Sequence, residues 1–178
     1  MSGSRTRTVD IVPIRSAEDV EDARVMVMEL FDVFFERYPE EIPMIRKYME
    51  DQDVVGQLER FLETFGPPLG EALIARVDGD AVGIVMLTDK GQGLTGRQCE
   101  MNRMYVRASA RGLGVGRKLG LAILQEARNL GFAEMRLDGA RRHVEAIPLY
   151  ESLGFGPDPA PSEHAKSDPM MVSMRVTL

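Results

Sequence analysis

Residues 107–119 read RASARGLGVGRKL, and no other stretch of the chain restricts its fold as much. Gly112, Gly114 and Gly116 stand at alternate positions, and after them Val115, Leu119, Ala122, Ile123 and Ala127 recur at helical spacing as far as Gly131, a natural C-cap. Before them QCEMNRMYV (98–106) reads as a strand, although Cys99, Met101 and Met104 compete with Tyr105 for the core side and the alternation is imperfect. Strand, glycine turn and helix start in that order converge backbone N–H groups on one point, where the helix end adds roughly +0.5 of a charge. Glycine has no Cβ to hold an anion away, and Arg111, Arg117 and Lys118 put full charges around the turn. The plainer alternative is a turn that merely joins two elements.

Charge distribution favours the anion site. The chain is net −6, yet residues 97–142 hold ten Arg or Lys against four acids, so a basic island sits in an acidic protein. That balance disfavours a general nucleic-acid binder and suits one compact polyanionic ligand. With 178 residues the chain has room for one domain with a proper core. No segment approaches the roughly 20 apolar residues needed to cross a bilayer, so no membrane partner is expected. MSGSRTRTVD lacks the apolar centre of a secretory signal, and the single Cys99 excludes an internal disulfide framework, which makes the cytoplasm the expected location.

Residues 1–8 read as a flexible arm and 9–178 as the domain. A short strand is expected near 9–15, then a helix through about Arg37 opened by Ser16 with Asp19, and Pro39 and Pro43 break it. A second helix is expected from about Asp51 to Phe65. EALIARV and AVGIVMLT flank Asp78-Gly79-Asp80 and predict a β-hairpin with a DG turn. Residues 89–97 read as a loop, 133–138 as a strand, 143–154 as a helix, 156–169 as a loop and 170–178 as a last strand. An exposed last strand would allow a homodimer.

Several nucleotide motifs fail on spacing. Walker A needs a Gly-Lys pair where Arg117 stands and a Ser or Thr after Lys118, and G-x-G-x-x-G needs a third glycine at Arg117 or Leu119. A methyltransferase-type G-x-G-x-G is matched by the three glycines, with Asp138 placed to meet a ribose. Against it, at least three strands and two helices precede the turn, and the cationic surroundings suit phosphates better than the sulfonium of S-adenosylmethionine. His143, His164 and Cys99 have no ligand spacing, so no metal is expected.

RGLGVG (111–116) resembles the R/Q-x-x-G-x-G/A signature of the GNAT superfamily of acetyl-CoA-dependent N-acetyltransferases, and AIPLYESLGF (146–155) resembles its Ala-x-x-x-Tyr-x-x-x-Gly-Phe helix. The resemblance covers about residues 98–156. It implies an α/β (α+β) fold, a single domain with a mixed, mostly antiparallel central sheet flanked by helices and splayed between its fourth and fifth strands. It also implies acetyl-CoA as cosubstrate, its pantetheine arm on the backbone of Met104, Tyr105 and Val106. Its pyrophosphate would lie on Gly112, Leu113, Gly114, Val115, Gly116, Arg117 and Lys118 beside Arg111.

The reaction implied is direct attack of a primary amine, on a small molecule or a peptide, with no acyl-enzyme. Tyr150 stands where the family often has its general acid, more effective if its neighbours lower its pKa, or is a core tyrosine. Glu100 is the candidate base, directly or through a water, or else a glutamate paired with Arg97 or Arg103. His143 replaces the usual asparagine, and either contacts the pantetheine arm or opens the helix. Residues 1–65 carry fifteen acids against eight bases, which would steer a cationic acceptor or simply be solvated helix faces. A non-catalytic acyl-CoA-binding module stays open beside the enzyme, and the methyltransferase ranks third.

Overall fold

The structure is a computed structural model that describes residues 7–178, so most of the arm expected over 1–8 lies outside the described residues. Asp78 and Gly79 both adopt positive φ, 53° and 93°, and this pair closes the hairpin of β2 (Gly70–Val77) and β3 (Asp80–Gln92). A two-residue turn with both φ positive matches the right-handed twist of its strands, and Asp-Gly is the sequence that tolerates it. β3 runs four residues further than the periodicity predicts, taking half of the expected 89–97 loop.

β1 (Val9–Pro13) pairs antiparallel with β2, and β4 (Arg97–Val106) antiparallel with β3. β5 (Glu134–Ala140), β6 (Gly156–Pro157) and β7 (Met171–Thr177) complete one mixed sheet among the described residues, in the order β1-β2-β3-β4-β5-β7-β6. The β4–β5 contact is parallel and short: residues 98–100 pair with 134–136, and the strands then part. That is the expected splay. β7 is an inner strand along β5, and β6 covers its outer edge at Met174 and Arg175.

α1 (Ala17–Arg37) begins at Ser16, whose hydroxyl accepts the Asp19 N–H. Its buried Val20, Ala23, Met26, Val27, Leu30 and Phe31 face the sheet. Each such large side chain contributes about 1.5–3 kcal/mol when fully buried. With α3 (Val54–Glu59) and α4 (Phe61–Phe65) it builds the core on one sheet face, with Ile74, Ile84 and Met86. The opposite face carries α5 (Val115–Asn129), whose Val115, Leu119, Ile123 and Ala127 pack on Leu73, Val85, Cys99 and Met135. α6 (Ala146–Ser152) leans on α5.

The chain between α1 and α3 departs from expectation. Pro39 starts a 3-10 turn and Pro43 sits in the first turn of an extra helix, α2 (Ile42–Asp51), where a missing N–H costs nothing. The expected 51–65 helix is two short ones, because Asp53 turns left-handed (φ 47°) to cap Gly56 and the backbone leaves helical geometry again at Arg60. Within the expected 156–169 loop lie β6 and α7 (Glu163–Ser167). No helix among the described residues is long and apolar enough to cross a membrane.

The uneven alternation of β4 has a structural cause. Ile84 pairs with Tyr105 but Met86 with Asn102, so two residues of β4, Arg103 and Met104, oppose Val85 alone and a bulge forms at Arg103, φ 53°. The bulge reverses side-chain parity. Cys99 and Met101 before it and Met104 and Val106 after it all face α5, while Tyr105 joins the α1 core.

Candidate active site

The glycine turn has the geometry of an open anion cradle. Gly112 and Gly114 take positive φ of 79° and 73°, and a Cβ on either would meet no atom within 4 Å. Gly114 is the N-cap of α5 and makes no side-chain capping bond, and the first helical bond runs from Lys118 N–H to its carbonyl. Among the described residues, no side chain caps the N–H groups of the first turn. Leu113 and Val115 turn their side chains into the core, and the Leu113 N–H donates to the Ala110 carbonyl, so of the two only the Val115 N–H is left for a ligand. Gly116 serves packing instead: a Cβ there would lie 3.2 Å from Leu149 Cδ2, so its bareness lets α6 approach α5.

The basic island is partly consumed by structure. Arg107 donates to both oxygens of Glu29 (2.9 and 2.7 Å) and to the Ala81 carbonyl, Arg97 pairs with Asp89, and Arg103 reaches Tyr48 Oη at 3.2 Å and stacks over Phe31. Arg117 donates to the Ser152 hydroxyl at the C-terminal end of α6. Arg111 and Lys118 are exposed and have no ion pair among the described residues, so two cations stand free beside the open N–H groups.

From this turn the opening between β4 and β5 leads inward. Arg107 N–H donates to the Val82 carbonyl, so antiparallel alternation makes Ile84–Tyr105 a bonded pair and Gly83–Val106 a non-bonded one. The main-chain groups of Val106 thus face the side from which β5 has withdrawn, and those of Tyr105 face β3.

Tyr150 lies along this opening, its ring near Gly139 of β5 and 6.1 Å from the Phe155 ring in an edge contact. Burial pushes its phenol up to about 12, so its neighbours do not supply the lowering that would ease proton transfer. His143 sits three residues before α6, with its ring 5.1 Å from Phe34 and 5.6 Å from Tyr38. Burial and the nearby Arg37 charge lower its pKa, so it is neutral at pH 7. Cys99 is fully buried, and burial pushes its thiol up to about 12, which removes it as a nucleophile.

Glu100 lies on the α1 side of the sheet in the last β4–β5 pair before the strands separate. Its partners are neither Arg97 nor Arg103 but Lys90 at 3.5 Å and Arg136 at 3.8 Å. Sequence reasoning passed over Arg136, a cation between the core residues Met135 and Leu137 whose position beside the opening only strand pairing reveals. No group of three or more metal-ligating side chains occurs among the described residues.

The sheet argues against a methyltransferase, whose nucleotide fold needs a mainly parallel sheet with its glycine turn after the first strand. Comparison with known proteins gives the family. The acetyltransferase (GNAT) family profile matches residues 26–155. An uncharacterised N-acetyltransferase of Schizosaccharomyces pombe is 33% identical over 149 residues, covering 83% of this chain and 82% of the relative. The PaiA N-acetyltransferase of Thermoplasma acidophilum, solved with coenzyme A, superposes with a TM-score of 0.68 at 19% identity, over 96% of this chain and 99% of its own. A GNAT family acetyltransferase of Elizabethkingia anophelis with acetyl-CoA bound has a TM-score of 0.54 at 15% identity, over 69% of this chain and 82% of its own. With the splayed sheet, the bulged fourth strand and the uncapped glycine turn, these matches establish that the chain belongs to the GNAT family of N-acetyltransferases.

Proposed function

We propose that this protein moves an acetyl group from acetyl-CoA to a primary amine, on a small molecule or a peptide, by direct attack and without an acyl-enzyme. The observation that carries the reading is the turn at Gly112–Gly114 and the helix start after it, which has no side-chain cap, whose glycines leave open space, and beside which Arg111 and Lys118 have no ion pair among the described residues. A diphosphate fits such a cradle, because aligned N–H groups and the helix end favour negative charge. The main chains of Met104 and Val106 would bond the pantetheine amides as a missing strand would, and one of their N–H groups would hold the oxyanion. Tyr105 contributes its ring to the packing below, and His143 shapes the α1 side of the entrance.

Glu100 takes one proton from the acceptor ammonium, directly or through a water, and frees the nitrogen lone pair. The nitrogen then bonds to the thioester carbon, the C–S bond breaks, and a second proton leaves the nitrogen as sulfur gains one. Tyr150 serves the sulfur. With a phenol at about 12 and a thiol near 8.5, outright ionisation of Tyr150 would be uphill by roughly 5 kcal/mol. It therefore acts as a permanently neutral donor that bonds to the departing sulfur and relays a proton in concert, never resting as phenolate. The seven-charge acidic surplus of residues 1–65 favours an acceptor that presents its amine as an ammonium.

Thermal shift with acetyl-CoA, coenzyme A and S-adenosylmethionine, followed by free-thiol release on an amine panel, tests this reading. Stabilisation by the first two and thiol release on at least one amine are expected. Stabilisation without release on any amine would make the chain a non-catalytic acyl-CoA-binding module, and stabilisation by S-adenosylmethionine alone would overturn acetyl transfer.

A further inference from the structure

Arg136 has a feature that the reaction above does not use. Its side chain keeps only 16% of its exposure, yet Nε and Nη2 are buried without a hydrogen-bond partner among the described residues. These two donors share one edge of the guanidinium, the edge that matches both oxygens of a single carboxylate. The nearest carboxylates leave that edge unfilled. Glu100 stands 3.8 Å from Nε and Asp138 3.9 Å from Nη2, beyond hydrogen-bond reach. Asp138 is engaged by the hydroxyls of Ser162 and Ser173, one on each oxygen. Arg175, opposite Arg136 on β7, is by contrast bonded to Glu134 at 2.9 Å.

The position is as telling as the missing bonds. Arg136 and Glu100 form the last pair before β4 and β5 part, on the side of the sheet that carries α1 and α2. α2 reaches β4 through Tyr48 and Arg103, α7 is tied to β5 by its capping Ser162, and Tyr48 and His164 touch at 5.3 Å. These contacts span the parted strands on the side opposite α5. A cation and an anion 3.8 Å apart without a hydrogen bond are a pair that a guest of complementary charges can separate. Three cations, Lys90, Arg136 and Arg175, are joined here to three anions, Glu100, Asp138 and Glu134, so a neutral zwitterion enters without upsetting the balance.

We infer that the acceptor carries a carboxylate next to its amine, as a free amino acid does, with the carboxylate on the Nε–Nη2 edge of Arg136 and the ammonium on Glu100. This rests on the acetyl-transfer reading and makes Arg136 a specificity residue. The test compares free L-amino acids with their α-amides and decarboxylated amines by thiol release, in the wild type, Arg136→Lys and Arg136→Met. The free acids should exceed their amides in kcat/KM by about tenfold or more, mainly through KM, because a buried donor edge is left unpaired by the amide. Arg136→Met should bring acid and amide to within about twofold, and Arg136→Lys should restore only part of the preference. Coenzyme A affinity checks that the variants fold. Should Arg136→Met fail to fold, acid and amide are compared in the wild type by kinetics and by thermal shift with coenzyme A present. Equal use of acids and amides by the wild type, or equal loss of both in Arg136→Met, would overturn the inference and leave acetyl transfer standing. Acetylation of no amine at all would remove both.

Discussion

Tyr150 and Cys99 are both pushed up to about 12 by burial, with opposite consequences. A thiol held protonated is inert, whereas a phenol held protonated remains a donor throughout the working pH range. Tyr150→Phe should lower kcat about a hundredfold while the acetyl-CoA Kd stays within about twofold, as measured by steady-state kinetics and calorimetry. The sign of the pH effect follows from the raised pKa: the neutral form, the one proposed to act, persists as pH rises until about 12, so Tyr150 should produce no alkaline loss of kcat near pH 8–9. An alkaline limb in that range that disappears in Tyr150→Phe would contradict this. Tyr150 was legible as a candidate from its place in AIPLYESLGF; its pKa was not, because that depends on the packing of Phe155 and β5 around the ring.

The three glycines of the turn look equivalent in sequence, but at the scale of elements they divide into two kinds. Gly112 and Gly114 permit positive φ at an open surface, while Gly116, like Gly120 one turn on, lets α6 and its following turn approach α5. Gly114→Ala should cost about 1–2 kcal/mol from the left-handed backbone and weaken coenzyme A binding about tenfold or more, by obstructing the cradle. In Gly120→Ala the added Cβ would lie 2.3 Å from Leu153 Cδ1, so about 1–3 kcal/mol of stability should be lost with little direct effect on coenzyme A affinity. Thermal melts and calorimetry on both variants separate the two roles. The Asp-Gly hairpin and α5 were readable because local propensity and periodicity agreed. The bulge at Arg103 was not, since one extra residue is visible only against the partner strand, and α2 was hidden because proline reads as a breaker even in a first turn.

For the whole molecule, acid stability depends on carboxylates tied into the tertiary structure. Glu134 has no exposure; burial pushes its pKa up, but bonds from Thr95 and Leu94 and the Arg175 charge outweigh this and hold it below the usual range. Arg76 and Arg107 hold Asp19 and Glu29 low as well. A depressed folded pKa stabilises above the unfolded value and is lost as pH falls through the folded one. Stability should therefore be level above about pH 5 and decline below about pH 4. Glu134→Ala, which strands Arg175 and frees the 93–96 turn, should cost about 3–5 kcal/mol at pH 7, or roughly 10 °C in Tm, and the gap to wild type should narrow at low pH. Melts across pH 3–8 check both the arm and the narrowing.

From the sequence alone follow the order of the main elements, the hairpin, the glycine turn before α5 and the family, because each depends on residues close in the chain whose propensities reinforce one another. Tertiary structure decided where β4 and β5 part, which cations remain free, and how Arg136 comes to face Glu100 with one edge unfilled. Those properties arise between strands more than thirty residues apart, where pairing register and burial, rather than local preference, determine which charges meet.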